Sequence, residues 1–428
     1  MGSAVSGQSV SPLMILPFAA LLVAIAAGPV FYPRFWHHHY PKVSVGLGLI
    51  TASYYIFVSH TPERLVHVGH EYLSFIALIG SLFVVAGGVH ITVKGESTPL
   101  LNVLFLFVGG VIANVIGTTG ASMLLIRPWI RMNKYRITGF HIVFFIFIVS
   151  NVGGCLTPIG DPPLFLGYLR GVPFWWVLER CWPMWALAMG LLLAVFFVFD
   201  LLNFLKAPKE IRTEHAGAEA WRFQGMHNLL FIAVILAAVL FNKHLPLLLP
   251  ELIMVAAAVL SFRTTPVQVH EANDFNFEPI KEVSWIFAGI FATMIPALDY
   301  LGMHAGSLGL TSPLQFYFAT GALSAFLDNA PTYLTFLSAE MGLHHLSVDS
   351  ASDVLKAVEG YPMEVVAISV GAVFFGAMTY IGNGPNLMVK SISEQSRVHS
   401  PAFIEYLYKY GLTILLPVLV IVGLVFFR

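Results

Sequence analysis

Two short stretches, one in each half of the chain, decide the fold. Residues 157–163 read Thr-Pro-Ile-Gly-Asp-Pro-Pro, and residues 379–385 read Thr-Tyr-Ile-Gly-Asn-Gly-Pro. Threonine, isoleucine, glycine and proline coincide at the same four places, and Asp161 is matched by Asn383. Both stretches interrupt apolar runs with proline, which removes an amide donor and collides with the preceding helical turn. The sequence therefore predicts two equivalent helix breaks.

The composition around these breaks is that of a membrane protein. Of 428 residues, 57% are hydrophobic and only 11% are charged, whereas soluble proteins carry about 25% charged residues. Apolar runs of about 17–25 residues, long enough to cross a bilayer as helix, recur throughout. The alternating pattern of a β-barrel is missing from the sequence. A net charge of −1 and two cysteines point away from nucleic acid and from a disulfide framework or cysteine metal site.

The order of apolar segments repeats after the middle of the chain. The first half predicts spans at about 12–32, 43–59 and 71–93, a hairpin at 99–130, a broken span at 137–170 and a span at 174–205. The second half predicts spans at about 226–241, 250–262 and 285–301, a hairpin at 312–341, a broken span at 363–396 and a span at 406–427. Each hairpin also carries an asparagine followed closely by threonine.

This order predicts an all-α membrane protein made of two inverted repeats. Residues 1–205 form the first repeat, 206–225 a polar cytoplasmic linker, and 226–428 the second repeat. Each repeat has five transmembrane helices, one of them broken, and one re-entrant helical hairpin. An odd number of crossings per repeat inverts the second repeat, and such transporters place their sites where the breaks meet.

Basic residues predict the orientation. On this topology, 16 lysines and arginines fall on one face and 6 on the other. The positive-inside rule places the richer face in the cytoplasm and both termini outside. We therefore expect a multi-pass protein of the cell (inner) membrane.

The sharpest candidate site residues are Asp161 and Asp328, because each lies at a break inside an apolar stretch. A carboxylate at membrane depth is costly and indicates function. Burial favours its protonated form and a bound cation its ionised form, so the group can exchange H⁺ for Na⁺. The alternative is that either aspartate only caps the following half-helix.

Neutral oxygens near the breaks complete the predicted ion site, in which Asp161 and Asp328 are the candidate Na⁺ ligands. The predicted set is Asn114, Thr118, Thr119, Thr157, Asn329, Thr332, Thr379, Asn383 and Asn386. For any one of these side chains, an ordinary hydrogen bond between helices is the alternative.

Three segments resemble the ion transporter superfamily: NVGGCLTPIGDPPLFLG at 151–167, LDNAPT at 327–332 and GAMTYIGNGPN at 376–386. That group includes sodium/proton antiporters, arsenite permeases, citrate–metal transporters and dicarboxylate transporters. The resemblance implies a transport domain of hairpins and broken helices (99–170 and 312–396) and a scaffold formed by the remainder. It also implies an elevator-like motion and a homodimer.

The leading functional hypothesis is therefore a secondary active transporter working as a Na⁺/H⁺ antiporter. The alternative is a Na⁺- or H⁺-coupled transporter of citrate, another carboxylate or an arsenite-like oxyanion. A membrane enzyme is disfavoured, because the sequence has neither a His/Glu/Asp metal spacing nor a nucleophile-elbow pattern. We expect no cofactor, with Na⁺ and H⁺ as transported or coupling ions. The expected partners are a small ion or small molecule, the lipid bilayer and a second copy of the chain, and not nucleic acid.

Overall fold

A computed structural model of the chain describes residues 11–92, 98–206 and 222–428. A short 3₁₀ turn at Pro12–Ile15 leads into the first half of the chain. Its helices are α1 (Leu16–Phe31), α2 (Pro33–Phe57), α3 (Pro62–Gly87), α4 (Pro99–Met132), α5 (Gly139–Ile148), α6 (Pro162–Arg170) and α7 (Phe174–Lys206). Strand β1 (His90–Thr92) follows α3, and a 3₁₀ turn (Val152–Leu156) lies between α5 and α6.

The second half begins with strand β2 (Arg222–Gln224). Its helices are α8 (Asn228–Leu240), α9 (Leu249–Thr264), α10 (Val267–Ala272), α11 (Glu278–His304), α12 (Pro313–Ser324), α13 (Asn329–Leu343), α14 (Ala351–Gly360), α15 (Pro362–Phe375), α16 (Gly384–Gln395) and α17 (Phe403–Phe426). The 3₁₀ turns are Asn242–His244, Ala305–Leu308 and Gly376–Met378, and Tyr406–Leu415 within α17 is π-helical.

The protein is an all-α, multi-pass membrane protein. Among the described residues, seven helical stretches are long and apolar enough to span a bilayer, or eight when the pair α14–α15, bent by 101°, counts as one. Helices α8 and α9, with 13 and 16 residues, are shorter than the roughly 20 residues of an upright span. Both predicted spans, 226–241 and 250–262, are helical, and their crossing of the membrane stays a prediction.

The predicted end of the third span is wrong. The apolar run predicts a span that reaches residue 93, but α3 ends at Gly87, and His90–Thr92 pairs antiparallel with Arg222–Gln224. Two asparagines from the second half bind the last carbonyls of the helix: Asn273 Nδ2 donates to Gly87 O at 2.9 Å and Asn228 Nδ2 to Gly88 O at 2.7 Å. The helix end is therefore satisfied by side chains distant in sequence. Most of the predicted linker, 207–221, lies outside the described residues.

Helix α4 is the predicted first hairpin, although its 34 residues could cross a membrane by length alone. Near its two ends, Asn102 Nδ2 donates to Asn133 Oδ1 at 2.7 Å. A chain that continued straight would separate residues 31 positions apart by about 46 Å. The reversal falls at Gly117, whose φ of 77° lies in the left-handed region that favours glycine.

The helices pack in two groups. Helices α1, α2, α3, α8, α9 and α11 pack on one another, and the hairpins pack on the broken helices. Helices α7 and α17, predicted as scaffold, pack against each other and against members of the second group. The groups meet where α11 contacts α13 and where α3 contacts α4 and α6.

An ionic cluster joins the two groups. Arg170, at the end of α6, donates from Nη2 to Glu71 Oε2 on α3 at 2.8 Å, and it also pairs with Asp349 in the α13–α14 loop. Arg64 on α3 binds the same Asp349 at 2.9 Å and pairs with Asp299 on α11. Only 2% of the Arg170 side chain is exposed. Gly171, at φ 123°, ends α6 in a conformation that side chains rarely adopt, which fixes Arg170 at the last turn.

Candidate functional site

The tip of the first hairpin is held by the first helix break. Just after the reversal, Thr118 N donates to Gly160 O at 2.8 Å. Thr157 Oγ1 donates to the carbonyl of Asn114 at 2.6 Å and accepts from Gly160 N at 3.1 Å. The threonine hydroxyl therefore braces the unwound chain and fastens the hairpin to it.

The second half repeats these contacts. At the tip of the α12–α13 hairpin, Asn329 N donates to Gly382 O at 3.2 Å. Thr379 Oγ1 donates to the carbonyl of Ala325 at 2.6 Å and accepts from Gly382 N at 3.2 Å. The equivalence of 157–163 with 379–385, inferred from letters, thus extends to hydrogen bonds.

The same contacts correct the predicted match between the hairpin tips. By hydrogen bonding, Thr118 is equivalent to Asn329, and Asn114 to Ala325. The asparagine–threonine patterns of the two hairpins therefore do not occupy equivalent positions. Matching residue types gave the wrong alignment of the two hairpin tips. Equivalent positions there are defined by backbone hydrogen bonds, which different side chains can accompany.

Asp161 is the centre of the site. Its Oδ1 accepts from Thr118 Oγ1 at 2.7 Å and from Asn383 Nδ2 at 3.0 Å. Its Oδ2 accepts from Asn329 Nδ2 at 2.6 Å. The side chain does not cap α6, and only 1% of the residue is exposed. The donors come from both hairpins and from the opposite break, so the two breaks lie in direct contact.

Asp328 lies at the second hairpin tip as a helix cap. Its Oδ1 accepts from Ala330 N at 3.0 Å, at the start of α13. Thr332, a predicted ligand, donates instead to the carbonyl of Asp328 at 2.9 Å. Asp328 therefore caps α13, which is the alternative role that the sequence left open for either aspartate. The side chain of Asn329 donates to Asp161 and does not cap the helix.

A second set of amides supports the centre, and sequence reasoning missed one of its members. Asn151 Nδ2 donates to Asn386 Oδ1 at 2.7 Å, and Asn383 Nδ2 lies 3.2 Å from Asn151 Oδ1. Asn386 in turn donates to the carbonyls of Gly376 and Thr379 at 2.8 and 2.9 Å. The signal for Asn151 was present: it is the first amide after the apolar run of α5.

One amide oxygen at the centre has no hydrogen-bond partner in the part of the chain that the structure describes. Among the described residues, none forms a hydrogen bond with Asn329 Oδ1, although Asn329 is fully buried. A buried carbonyl oxygen without a donor costs free energy. Amide and carboxylate oxygens are ligands suited to hard cations. The unpaired Asn329 oxygen beside Asp161 is therefore suited to act as a ligand of a bound cation.

Four helical segments begin at the breaks: the second arm of α4 at Thr118, then α6, α13 and α16 at Pro162, Asn329 and Gly384. Helix N-termini carry a partial positive charge and favour negative charge. No lysine or arginine of the described ranges forms an ion pair with Asp161. Dipoles and neutral donors therefore replace a basic counterion.

A small cavity lies between the first break and α3. Its volume is about 20 Å³, and Thr119, Gly160, Asp161 and Leu82 are among the residues that line it. A single water needs about 10–15 Å³. In this conformation the cavity admits a water or a bare ion beside Asp161, and it is far too small for a tricarboxylate. The predicted ligand Thr119 lines this cavity, as Thr118 and Asp161 do.

The tight packing within the second break and against its own hairpin predicts a sharp difference between two glycines. A Cβ at Gly382 would lie 2.6 Å from Gly376 O and 2.7 Å from Ser324 O, whereas at Gly384 it would meet nothing within 4 Å. Forcing atoms into a packed core costs about 1–3 kcal/mol or more. We expect Gly382→Ala to lower the thermal midpoint of purified protein and to abolish transport, while Gly384→Ala stays close to wild type. Equal effects of the two changes would contradict this packing.

Paired helix breaks that join at a buried polar centre inside a multi-pass helical bundle define a secondary transporter. Comparison with protein families agrees with this class. A family described as "Putative citrate transport" matches residues 7–427, and the chain belongs to that family. A search of curated proteins found no matching relative.

Proposed function

We propose that the chain is a secondary active transporter that couples movement of a citrate-class carboxylate to Na⁺ or H⁺. The observation that carries this proposal is the Asp161 carboxylate, which is buried, receives three neutral hydrogen bonds and has no basic partner in the described part of the chain. An uncompensated charge at this depth is costly. Asp161 therefore binds either a cation or a proton, and the exchange of one for the other is the coupling step.

Family membership and the helix N-termini support a carboxylate substrate. An anion can bind where amide groups and dipoles converge, without a lysine or arginine. A bound cation at Asp161 adds positive charge beside such an anion. In this scheme, cation and carboxylate bind cooperatively because each screens the other's charge.

Na⁺/H⁺ antiport is the second candidate, and the cavity favours it. A space of about 20 Å³ at Asp161 suits an ion, and antiport needs no larger site. The family favours the citrate-type alternative over this first hypothesis. The two candidates assign Asp161 the same chemistry and differ only in whether an organic anion travels with the ion.

The two packing groups suit an elevator-like motion in the membrane of the cell. The hairpins and broken helices, which carry Asp161, would move against α3 and α11 of a scaffold that pairs with a second copy of the chain. Contacts between the groups are concentrated at α3 and α11, and a moving body must slide along such a surface. Accessibility of the site would then alternate between the two sides.

A substrate panel in proteoliposomes tests the proposal. Purified protein is given citrate, arsenite, Na⁺, Li⁺ or K⁺, with a pH-sensitive dye inside the vesicles. Citrate uptake that depends on Na⁺ or H⁺ supports the first candidate. Cation-driven proton movement without citrate uptake supports antiport, and arsenite uptake alone identifies an oxyanion carrier. Inactivity toward the whole panel would refute both candidates.

Orientation gives a separate prediction. The charge asymmetry places Lys134 in the cytoplasm and Lys356 outside. Both native cysteines are buried, and both are replaced by serine for this experiment. Lys134→Cys should resist an impermeant maleimide in intact cells and react after permeabilisation, while Lys356→Cys should react in intact cells. The reverse pattern would invert the topology.

A further inference from the structure

Glu340 is a buried acid that the proposed mechanism does not yet use. It lies near the end of α13, which is the second arm of the second hairpin, and is completely buried. Within the described ranges, neither of its carboxylate oxygens forms a hydrogen bond. An ionised carboxylate in such a place costs several kcal/mol, whereas a protonated one does not carry that charge.

A histidine four residues beyond Glu340, directly after the end of α13, connects Glu340 with solvent. His344 Nε2 lies 3.4 Å from Glu340 Oε1, close but outside hydrogen-bond geometry, and 28% of its side chain is exposed. The imidazole ring stacks on Tyr361 at a centroid distance of 3.3 Å. Histidine exchanges protons near neutral pH. The stacked ring is therefore held where it can pass a proton between solvent and the buried acid.

The other ionisable groups near this pair are few. Glu364, near the start of α15, interacts electrostatically with both Glu340 and His344, and His345 interacts with His344. Tyr333, earlier on α13, interacts with Glu340. No lysine or arginine in the described part of the chain pairs with Glu340. Of these groups, the charged one that acts on Glu340 is Glu364, which is negative and also favours a proton on Glu340.

Helix α13 links this pair to Asp161. Its first residue, Asn329, donates to Asp161 Oδ2. At about 100° per residue, Asn329, Tyr333, Glu340 and His344 fall within about 60° of one another around the helix axis. Glu340 lies about 16 Å along the axis from Asn329. A change of charge at one end of α13 therefore acts on the same rigid element that holds the ion site.

We propose that Glu340, served by His344, is a second proton-binding site of the transporter, separate from Asp161. It accepts and releases a second proton at the base of the second hairpin, in addition to the proton that Asp161 exchanges for the cation. The proton is transferred between the imidazole and the carboxylate without other chemistry. This inference rests on the proposed function for its role in coupling but not for the existence of the site.

The first test needs no transport. Infrared spectra of purified protein, recorded against pH, should contain the C=O band of a protonated carboxylic acid that Glu340→Gln removes. The matched variant Glu359→Gln changes an exposed carboxylate on the neighbouring helix α14 and should retain the band. A Glu340→Asp variant, which can still bind a proton, should shift the band. A spectrum unchanged by Glu340→Gln, or by Glu340→Asp if the glutamine variant does not fold, would overturn the proposal.

The second test concerns coupling. In proteoliposomes, Glu340→Gln should reduce substrate-driven proton movement by about half, because Asp161 still exchanges its proton, and should flatten the pH dependence of uptake, with substrate KM within about twofold of wild type at alkaline pH. His344→Gln should slow proton movement without abolishing it. Wild-type proton movement in Glu340→Gln would refute the coupling role. A Glu340-dependent band in a protein inactive toward the whole panel would instead refute the proposed function and leave the proton site standing.

Discussion

Replacing Asp161 by asparagine is expected to abolish coupled transport while leaving the protein folded. Asparagine keeps the shape of the side chain but cannot titrate, and it also replaces one accepting oxygen by an NH2 donor, which Asn329 can accommodate by turning its amide. Loss of an ionic ligand worth a few kcal/mol corresponds to about a hundredfold loss of affinity. We expect cation-driven proton movement, and any cation-dependent citrate uptake, to fall at least that far in proteoliposomes between about pH 6 and 9.

The matched variant for this experiment is Asp328→Asn. Asparagine caps helices about as well as aspartate, so the hydrogen bond to Ala330 N at the start of α13 is preserved in kind. If Asp328 is only a cap, transport persists in this variant; if its charge also binds the ion, transport falls. Full activity of Asp161→Asn would remove the central element of the proposed mechanism.

Replacing Arg170 by glutamine is expected to give the largest loss of stability. The change leaves Glu71, which is 6% exposed at its side chain, without its counterion. Removing one partner of a buried ion pair costs about 3–5 kcal/mol. The thermal midpoint of purified protein in detergent should fall clearly. Lys356→Gln, which breaks an exposed pair with Asp353, should change stability by about 0–1 kcal/mol.

A double variant tests whether the loss comes from the stranded charge. Glu71→Gln combined with Arg170→Gln removes both charges and should be more stable than Arg170→Gln alone, because neutral partners leave no buried ion. An additive loss would mean that packing of the arginine stem, and not its charge, is what the site requires.

The same ionic cluster makes the stability of the protein depend on pH through Asp349. Burial raises the pKa of the Asp349 carboxyl, but the positive charges of Arg170 and Arg64 lower it by more. The net effect is a pKa below the ordinary value. A carboxyl with a lowered pKa contributes its stability above the ordinary aspartate pKa of about 3.9 and loses it as the pH falls below that value. The stability difference between wild type and Asp349→Asn, measured as the thermal midpoint, should therefore shrink as the pH falls below about 4.

The breaks and their contact could be predicted because proline, glycine and a lone acid rarely stand together in an apolar run unless the helix is interrupted there. The sequence also placed both hairpins and identified Asp161 with its three donors, Thr118, Asn329 and Asn383. These residue types carry local meaning: they disrupt a helix or cost energy in lipid wherever they stand.

Features that depend on distant partners were not predictable. The ionic cluster of Arg170 brings together residues separated by 99 and 179 positions, and no local pattern encodes that meeting. The end of α3 was misplaced for the same reason, since asparagines 140 and 186 positions away bind its carbonyls. Likewise, nothing near Asp328 distinguishes a cap from an ion ligand.

The hydrogen bond between Asp161 and Asn383 restricts how the two halves of this chain can diverge. The two residues stand at matching positions of the duplicated motif, and their side chains meet at 3.0 Å. Aspartate at both positions would bring two carboxylates into contact, and such a pair shares one proton because both cannot be ionised together. Asparagine resembles a carboxylic acid that never loses its proton. Asparagine at one of the two positions therefore fixes the single negative charge of the pair on Asp161, whereas two aspartates would share it.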